Sequence, residues 1–316
     1  MLSIIGDGMS GKSYFLTVAI RILRKILPAK FGVTFSDADP QGNAVLSAMI
    51  AKLFSPTQDP AKTRIVKTQL GGETMQTLKL HGKDVKLPRP FTYRINSPNS
   101  PGSALVFYDN AGETFRPDNS ESDKSNATEH MAWASGLLFL FDPLQQIDLL
   151  NLLNDEVDPQ VPFMRRGGGS IRYDQDVILA EIATRLRNWR SMGFDDKHDA
   201  PLALVLGKHD TLGDLFPRSE LELEVCINGR LSLGKIEANS QRTRDFLMEH
   251  CSEIVGAAEA ISSNVKYFPA SAFGTPAINV GDDIGPDPRS LKPYLVEAPI
   301  LWLISQIEPS TIPTLD

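Results

Sequence analysis

Short apolar runs rich in β-branched residues alternate along this chain with segments whose apolar positions recur at i, i+3 and i+4. That alternation is the signature of βαβ units and a mainly parallel sheet. Leu2 to Ile5 predicts a first strand. The helix after it carries Phe15, Leu16, Val18, Ala19, Ile22, Leu23 and Ile26 on one face, and Pro28 is expected to end it. Phe31 to Phe35 predicts a second strand, and Asp37-Ala38-Asp39-Pro40 predicts the cap of a helix reaching about Phe54. Ser55 to Gly72 is polar and rich in Pro, Lys and Thr, as a loop is. Thr74 to Leu80 and Val85 to Leu87 flank His81-Gly82-Lys83-Asp84 and predict a hairpin. Phe91 to Ile95 and Ala104 to Tyr108 predict a second antiparallel pair.

Gly136 to Phe141 is the most apolar run and reads as a strand buried on both faces. Leu149 to Leu153 has a helical pattern, Pro159 to Gly169 reads as a loop, and Val177 to Trp189 as an amphipathic helix. Pro201 to Leu206 and Val265 to Pro269 predict two more core strands. Between them, Glu220 to Ile236 reads as short-stranded or irregular and Arg242 to Ile261 as mostly helical. Gly281 to Pro288 predicts a loop and Pro299 to Ile307 a closing helix. No repeat, heptad or composition break divides residues 1–316, so one domain is expected. The predicted fold is a three-layer α/β sandwich, mainly parallel with one antiparallel edge pair, binding ligand at the C-terminal ends of its strands.

Composition narrows the class. The chain has 316 residues, 41% hydrophobic and 22% charged, which is the ordinary globular range. A net charge of −7 argues against a non-specific nucleic-acid binder. Two cysteines, Cys226 and Cys251, are too few for a disulfide framework and suit a reducing cytoplasm. No apolar run reaches the length of a membrane span, and the first residues lack the basic start of a signal peptide. A strand so near the start would have little to pair with, which suggests an upstream segment.

Chemistry concentrates at strand ends. Gly6-Asp7-Gly8-Met9-Ser10-Gly11-Lys12-Ser13 matches G-x-x-x-x-G-K-[ST] between a strand and a helix, the context that a phosphate loop requires. Glycines let successive N–H groups turn inward on phosphate oxygens, and the helix start adds positive potential. Lys12 is placed to reach the β- and γ-phosphates and Ser13 to ligate Mg2+, with Tyr14 completing the nucleotide-binding stretch. Asp109-Asn110-Ala111-Gly112-Glu113 follows the Ala104 to Tyr108 strand. Asp109 is the candidate Mg2+ carboxylate, and Gly112 can offer its N–H to a γ-phosphate, so loss of that phosphate would release Thr114 to His130. Asp, Asn and Gly also end plain strands; the phosphate loop upstream is what favours the switch.

Gly207-Lys208-His209-Asp210 ends another buried strand. Asp210 can accept two hydrogen bonds from guanine, and the Lys208 stem can lie along a base plane. By itself this segment is equally a strand-ending turn. Ser271 and Ala272, after the last core strand, are small enough for main-chain N–H groups to approach a guanine carbonyl.

In this order these motifs resemble those of the translation-factor-related class of P-loop GTPases, with the Ras-like fold that this implies. Within that class the added segment Phe31 to Thr63 is similar to the bacterial double-GTPase families. The resemblance implies GTP and GDP as ligands, Mg2+ as cofactor, and a first-switch threonine that completes the metal shell. Thr63 maps there, with Thr68 as second choice. It implies mobile segments at 55–73 and 110–130, a protein effector or partner GTPase, and an insertion at 143–200. Lys12, Thr63, Gly112 and Glu113 would form the catalytic set.

Two departures stand out. Gly207 replaces the Asn or Thr that ties the base-reading loop to the phosphate loop. Glu113 replaces the usual water-positioning glutamine, and a carboxylate in contact with the γ-phosphate meets repulsion on the order of 4 kcal/mol in a semi-wet site. Slow hydrolysis follows, or a nucleotide-binding scaffold with negligible turnover; an ATP-using P-loop enzyme is the third reading. Arg64, Arg116 and Arg165-Arg166 are arginine-finger candidates. The five histidines show no metal-ligand spacing.

Overall fold

The computed structural model of the protein describes residues 1–55, 57, 59–65, 75–80, 83–97, 100–109, 128–168 and 174–316. In chain order its strands are β1 (Leu2–Ile5), β2 (Thr34–Asp37), β3 (Met75–Leu80), β4 (Lys83–Pro88), β5 (Phe91–Ser97), β6 (Ser100–Asp109), β7 (Gly136–Phe141), β8 (Leu202–Leu206), β9 (Cys226–Ile227), β10 (Arg230–Ser232), β11 (Val265–Pro269), β12 (Ile278–Val280), β13 (Asp283–Gly285) and β14 (Thr314–Leu315). The α-helices are α1 (Lys12–Phe31), α2 (Ala44–Leu53), α3 (Pro60–Thr63), α4 (Ile147–Leu152), α5 (Gln160–Arg165), α6 (Gln175–Arg190), α7 (Leu233–His250), α8 (Ser252–Ile261) and α9 (Ala298–Ile307).

Seven strands form the central sheet in the order β11-β8-β7-β1-β6-β5-β2. From β11 to β6 every pairing is parallel; β5 runs antiparallel to both β6 and β2 and makes the expected antiparallel edge. Every residue of β7 and β8 is buried, which needs cover on both faces of the sheet. Helices supply it: α9 packs on β7 and β8, α7 on β11, α1 beside β2, and α6 against α8. This is a three-layer P-loop fold. A parallel β7–β8 pair needs a crossover, and α6 lies in that connection. Small sheets, β3–β4, β12–β13 and β9–β10–β14, lie outside the main one.

Register positions the site. Ile4 pairs with Asp109, Ile5 with Phe139, Phe141 with Leu206, and Leu206 with Pro269. The residues that leave β1, β6, β7, β8 and β11 therefore emerge along one edge, the C-terminal edge of a parallel sheet. β1 has neighbours on both sides, so the expectation that it would lack pairing partners is corrected.

Other expectations shift at element ends. Pro28 does not end α1, which continues to Phe31 with Pro28 inside its last turns. Gly32 ends it, at φ 66°, with its N–H donating to Pro28 O (3.2 Å) and the Val33 N–H to Leu27 O (3.1 Å). Leu27 is fully buried, and packing with this closure outweighs the proline's missing bond. The second strand therefore starts at Thr34. Asp39 does not open α2 directly: its carboxylate accepts from Gly42 N–H (2.9 Å), holding a turn before α2 begins at Ala44. The expected 159–169 loop contains α5, and the expected 281–288 loop contains β13.

A Cβ at Gly32 would meet nothing within 4 Å, so Gly32→Ala tests backbone conformation alone. It should cost about 1 kcal/mol and lower Tm by about 2–4 °C in thermal denaturation. Gly256→Ala, in open space on α8, should raise stability by about 0.5–1 kcal/mol in the same assay.

Candidate functional site

The phosphate loop connects β1 to α1. Gly6 sits at φ 154° with Leu140 O 2.7 Å from where a Cβ would stand, and Gly11 sits at φ 88°, so neither position accepts a side chain without strain. Met9 also has positive φ, at 65°. The loop is tied internally: Gly8 N–H donates to Asp7 Oδ1 (2.7 Å) and Ser10 Oγ to Asp7 O (2.8 Å). Lys12 Nζ folds back and donates to Gly6 O (2.7 Å) and Asp7 O (2.8 Å). An ammonium held on the loop's own carbonyls, at the positive end of a 20-residue helix, forms an anion-binding cradle.

Asp109 ends β6 directly across from Ile4. It is half-buried; loss of water pushes its carboxyl upward, and the Lys12 ammonium opposes that shift. Asp109 thus stands within the field of Lys12, at the end of the strand next to β1, with Ser13 one residue beyond Lys12. A carboxylate and a hydroxyl beside a phosphate cradle are oxygen donors of the kind that Mg2+ takes. Gly112, Glu113, Thr68 and Arg116 lie outside the described residues, as do most of 110–130 and 66–73.

The segment before residue 66 reaches the cradle through Tyr14. Asp59 caps α3 by accepting from Ala61 N–H (3.1 Å). Thr63 is buried, and its hydroxyl donates to Pro60 O (3.0 Å). Two residues on, Ile65 N–H donates to the Tyr14 hydroxyl (2.8 Å), and the Tyr14 ring meets Phe273 edge-on at 4.9 Å. Tyr14 therefore links the segment after α3 to the loop after β11. Arg64 is ion-paired with Asp283. Arg165 pairs with Asp155 and donates to Leu150 O (2.8 Å), tying α5 to α4.

At the end of β8, Lys208 has positive φ (47°) and its Nζ donates to Asp142 Oδ2 (2.7 Å) and Met9 O (3.2 Å). Its stem passes 3.9 Å from a Cβ built on Gly11, so it lies along the phosphate loop. Asp210 accepts from the Ser271 hydroxyl, whose oxygen accepts from Gly274 N–H (2.6 Å). Burial pushes the Asp210 carboxyl up to about 7, with the nearby Asp158 charge adding to the rise and the Ser271 bond and Lys208 opposing it. Ala272 is half-buried against the core. His209 is turned into the protein: Nδ1 lies 2.8 Å from the Tyr294 hydroxyl, and burial, with help from Arg218, holds the imidazole down to about 4.

The structure also brings in residues that the sequence reading did not weigh. Asp142, directly after β7, is fully buried. Gln145 Nε2 donates to Gly8 O (2.9 Å) and to Asp142 Oδ2 (2.9 Å). Gln175 at the start of α6 brackets the Asp142 backbone, accepting from its N–H (2.9 Å) and donating to its C=O (2.9 Å). Asp158 accepts from Ala277 N–H (2.7 Å), tying the segment between β7 and α6 to the loop after β11. A carboxylate following a six-residue apolar run was a legible signal for Asp142; Gln145 and Gln175 carried none.

No protein-family model matches the chain, and a search of curated proteins gives no match. Among solved structures it is similar to a signal recognition particle receptor SRb-GTP/SRX complex from Chaetomium thermophilum. The likeness covers 86% of this chain and 90% of that chain, at 10% sequence identity and a TM-score of 0.32.

Proposed function

We propose that this protein is a Mg2+-dependent GTP-binding switch with slow intrinsic GTP hydrolysis, of the translation-factor-related class and similar to the double-GTPase families. The carrying observation is the phosphate cradle closed by Lys12 and flanked at one sheet edge by Asp109 and Lys208. Ser13 and Asp109, with Thr63 from the first switch, would hold Mg2+, which would neutralise phosphate charge. Gly6 to Tyr14 would grip the phosphates. Asp210 would read guanine, and Ser271 and Ala272 would approach its carbonyl. Segments 55–73 and 110–130, the latter carrying Gly112 and Glu113, would report the γ-phosphate to a protein effector or partner GTPase. Asp158, which ties the 143–200 insertion to the base-side loop, gives that insertion a route to the nucleotide.

No helix among the described residues is long and apolar enough to cross a membrane. Both cysteines are free and buried, with thiols pushed up to about 12 by burial, in keeping with a proposed cytoplasmic setting. Glu113 favours the second reading, a scaffold that holds nucleotide without turning it over.

Titration with labelled GTP, GDP and ATP in Mg2+ tests the reading. Lys12→Ala should weaken GTP binding at least about thirtyfold, since it removes charge-assisted bonds to phosphate, and Ser13→Ala should abolish the Mg2+ dependence. ATP binding as tight as GTP removes the guanine claim. Single-turnover assays then separate switch from scaffold: measurable hydrolysis lost in Asp109→Ala supports the switch, and GTP intact after hours supports the scaffold.

The raised Asp210 carboxyl sets a pH dependence. Guanine needs the ionised form as a double acceptor, so binding favours deprotonation. GTP affinity should rise from pH 6 to 8 and level off above, with its midpoint near the Asp210 value of about 7. In the free protein the sign reverses: a carboxyl raised by folding stabilises the fold at low pH and loses that contribution as pH rises through 7. Asp210→Asn should flatten the binding profile relative to wild type; an unchanged profile assigns the titration elsewhere.

A further inference from the structure

We propose that Gln145 is a positioning residue for the phosphate loop and that, held by Asp142, it takes the place of the side chain absent at Gly207. This rests on the nucleotide-binding reading of the loop. Gln145 is buried, and both hydrogens of its Nε2 are used, one on Gly8 O and one on Asp142 Oδ2, each at 2.9 Å. The amide has one sensible orientation: flipped, its oxygen would face two acceptors. Asp142 Oδ2 also accepts from Lys208 Nζ, whose other bond goes to Met9 O. One fully buried carboxylate thus aims two donors at consecutive carbonyls of the phosphate loop. Asp142 is itself locked, with Oδ1 accepting from Leu144 N–H (3.0 Å) and Gln175 bonded to its backbone.

The consequence for the loop follows from peptide geometry. In a trans peptide the C=O and the next N–H point in opposite directions. Donors holding Gly8 O and Met9 O from outside the loop fix how the next peptides face: the Met9 N–H is turned the other way, where an anion would lie, and the Ser10 N–H closes the turn on Asp7 O (3.4 Å). A Cβ at 207 would stand 3.0 Å from Leu140 Cδ1 and 3.3 Å from Phe141 O, so a side chain there needs the Leu140 side chain to give by a few tenths of an ångström. Gly207 leaves that place empty of a donor, and Gln145 reaches the loop from the turn after β7.

The test uses the full chain, Mg2+ and labelled GTP and GDP, and the wild type is titrated first. Failure of the nucleotide reading shows there; failure of this inference shows only in the variants. Gln145→Met keeps the side-chain length and removes the donor. Binding of both nucleotides should weaken about tenfold, while the single-turnover rate at saturating GTP stays within about twofold of wild type. Gly207→Asn added to Gln145→Met should recover at least part of the affinity. If Gln145→Met does not fold, Gln145→Glu carries the test. Its carboxylate faces Gly8 O and Asp142, so its affinity relative to wild type at the same pH should fall at pH 8 and recover toward pH 5.5. Affinity within about twofold of wild type in the variants, or a loss that Gly207→Asn leaves untouched, overturns the proposal.

Discussion

The shape of the glycine turn between β1 and α1 governs this molecule, and it is set by the side chains that hold its carbonyls. A helix start leaves N–H groups unpaired, and a tight glycine turn before it adds more. Such groups are stable facing water or an anion and unstable facing apolar protein. In the loop from Gly6 to Ser13 the carbonyls are held: Gly6 and Asp7 by Lys12, Gly8 by Gln145, Met9 by Lys208. The surrounding structure serves to hold that turn open and facing one way.

The parallel sheet is what lets distant segments do this. β1, β7 and β8 lie side by side in register, so Gly6, Asp142 and Gly207 emerge together although they are far apart in the chain. β7 and β8 are buried on both faces, so a shift by one residue would disrupt close packing on either side. Charges at strand ends are then taken partly out of water. That is why Asp109 and Asp210 both resist ionisation, and why each stands near a lysine that offsets the effect. His209, without such a partner, stays neutral and becomes part of the aromatic packing around Tyr294 and Phe216.

Local pattern carried further than is usual because the strands are strongly apolar. Leu2–Ile5, Gly136–Phe141 and Val265–Pro269 form where periodicity placed them. Errors fell at ends decided by a single residue's dihedral or by packing: Gly32 rather than Pro28 ends α1, and an Asp39 turn delays α2. The turn from Gly6 to Ser13 between β1 and α1 was legible because its glycines, lysine and serine are adjacent in sequence, and the place of Asp109 because it ends an apolar strand.

The chain by itself determined that a glycine turn with one lysine would sit between a buried strand and a helix, since backbone freedom and apolar spacing are local properties. Tertiary structure alone decided what holds that turn. Gln145, Asp142 and Lys208 meet Gly8 and Met9 across more than a hundred residues of sequence, a distance that only the pairing of β1 with β7 and β7 with β8 closes. Likewise only folding could reveal that the side chain missing at Gly207 has a neighbour that reaches the same loop, because hydrogen-bond partners are chosen by proximity in space and leave no period in the sequence.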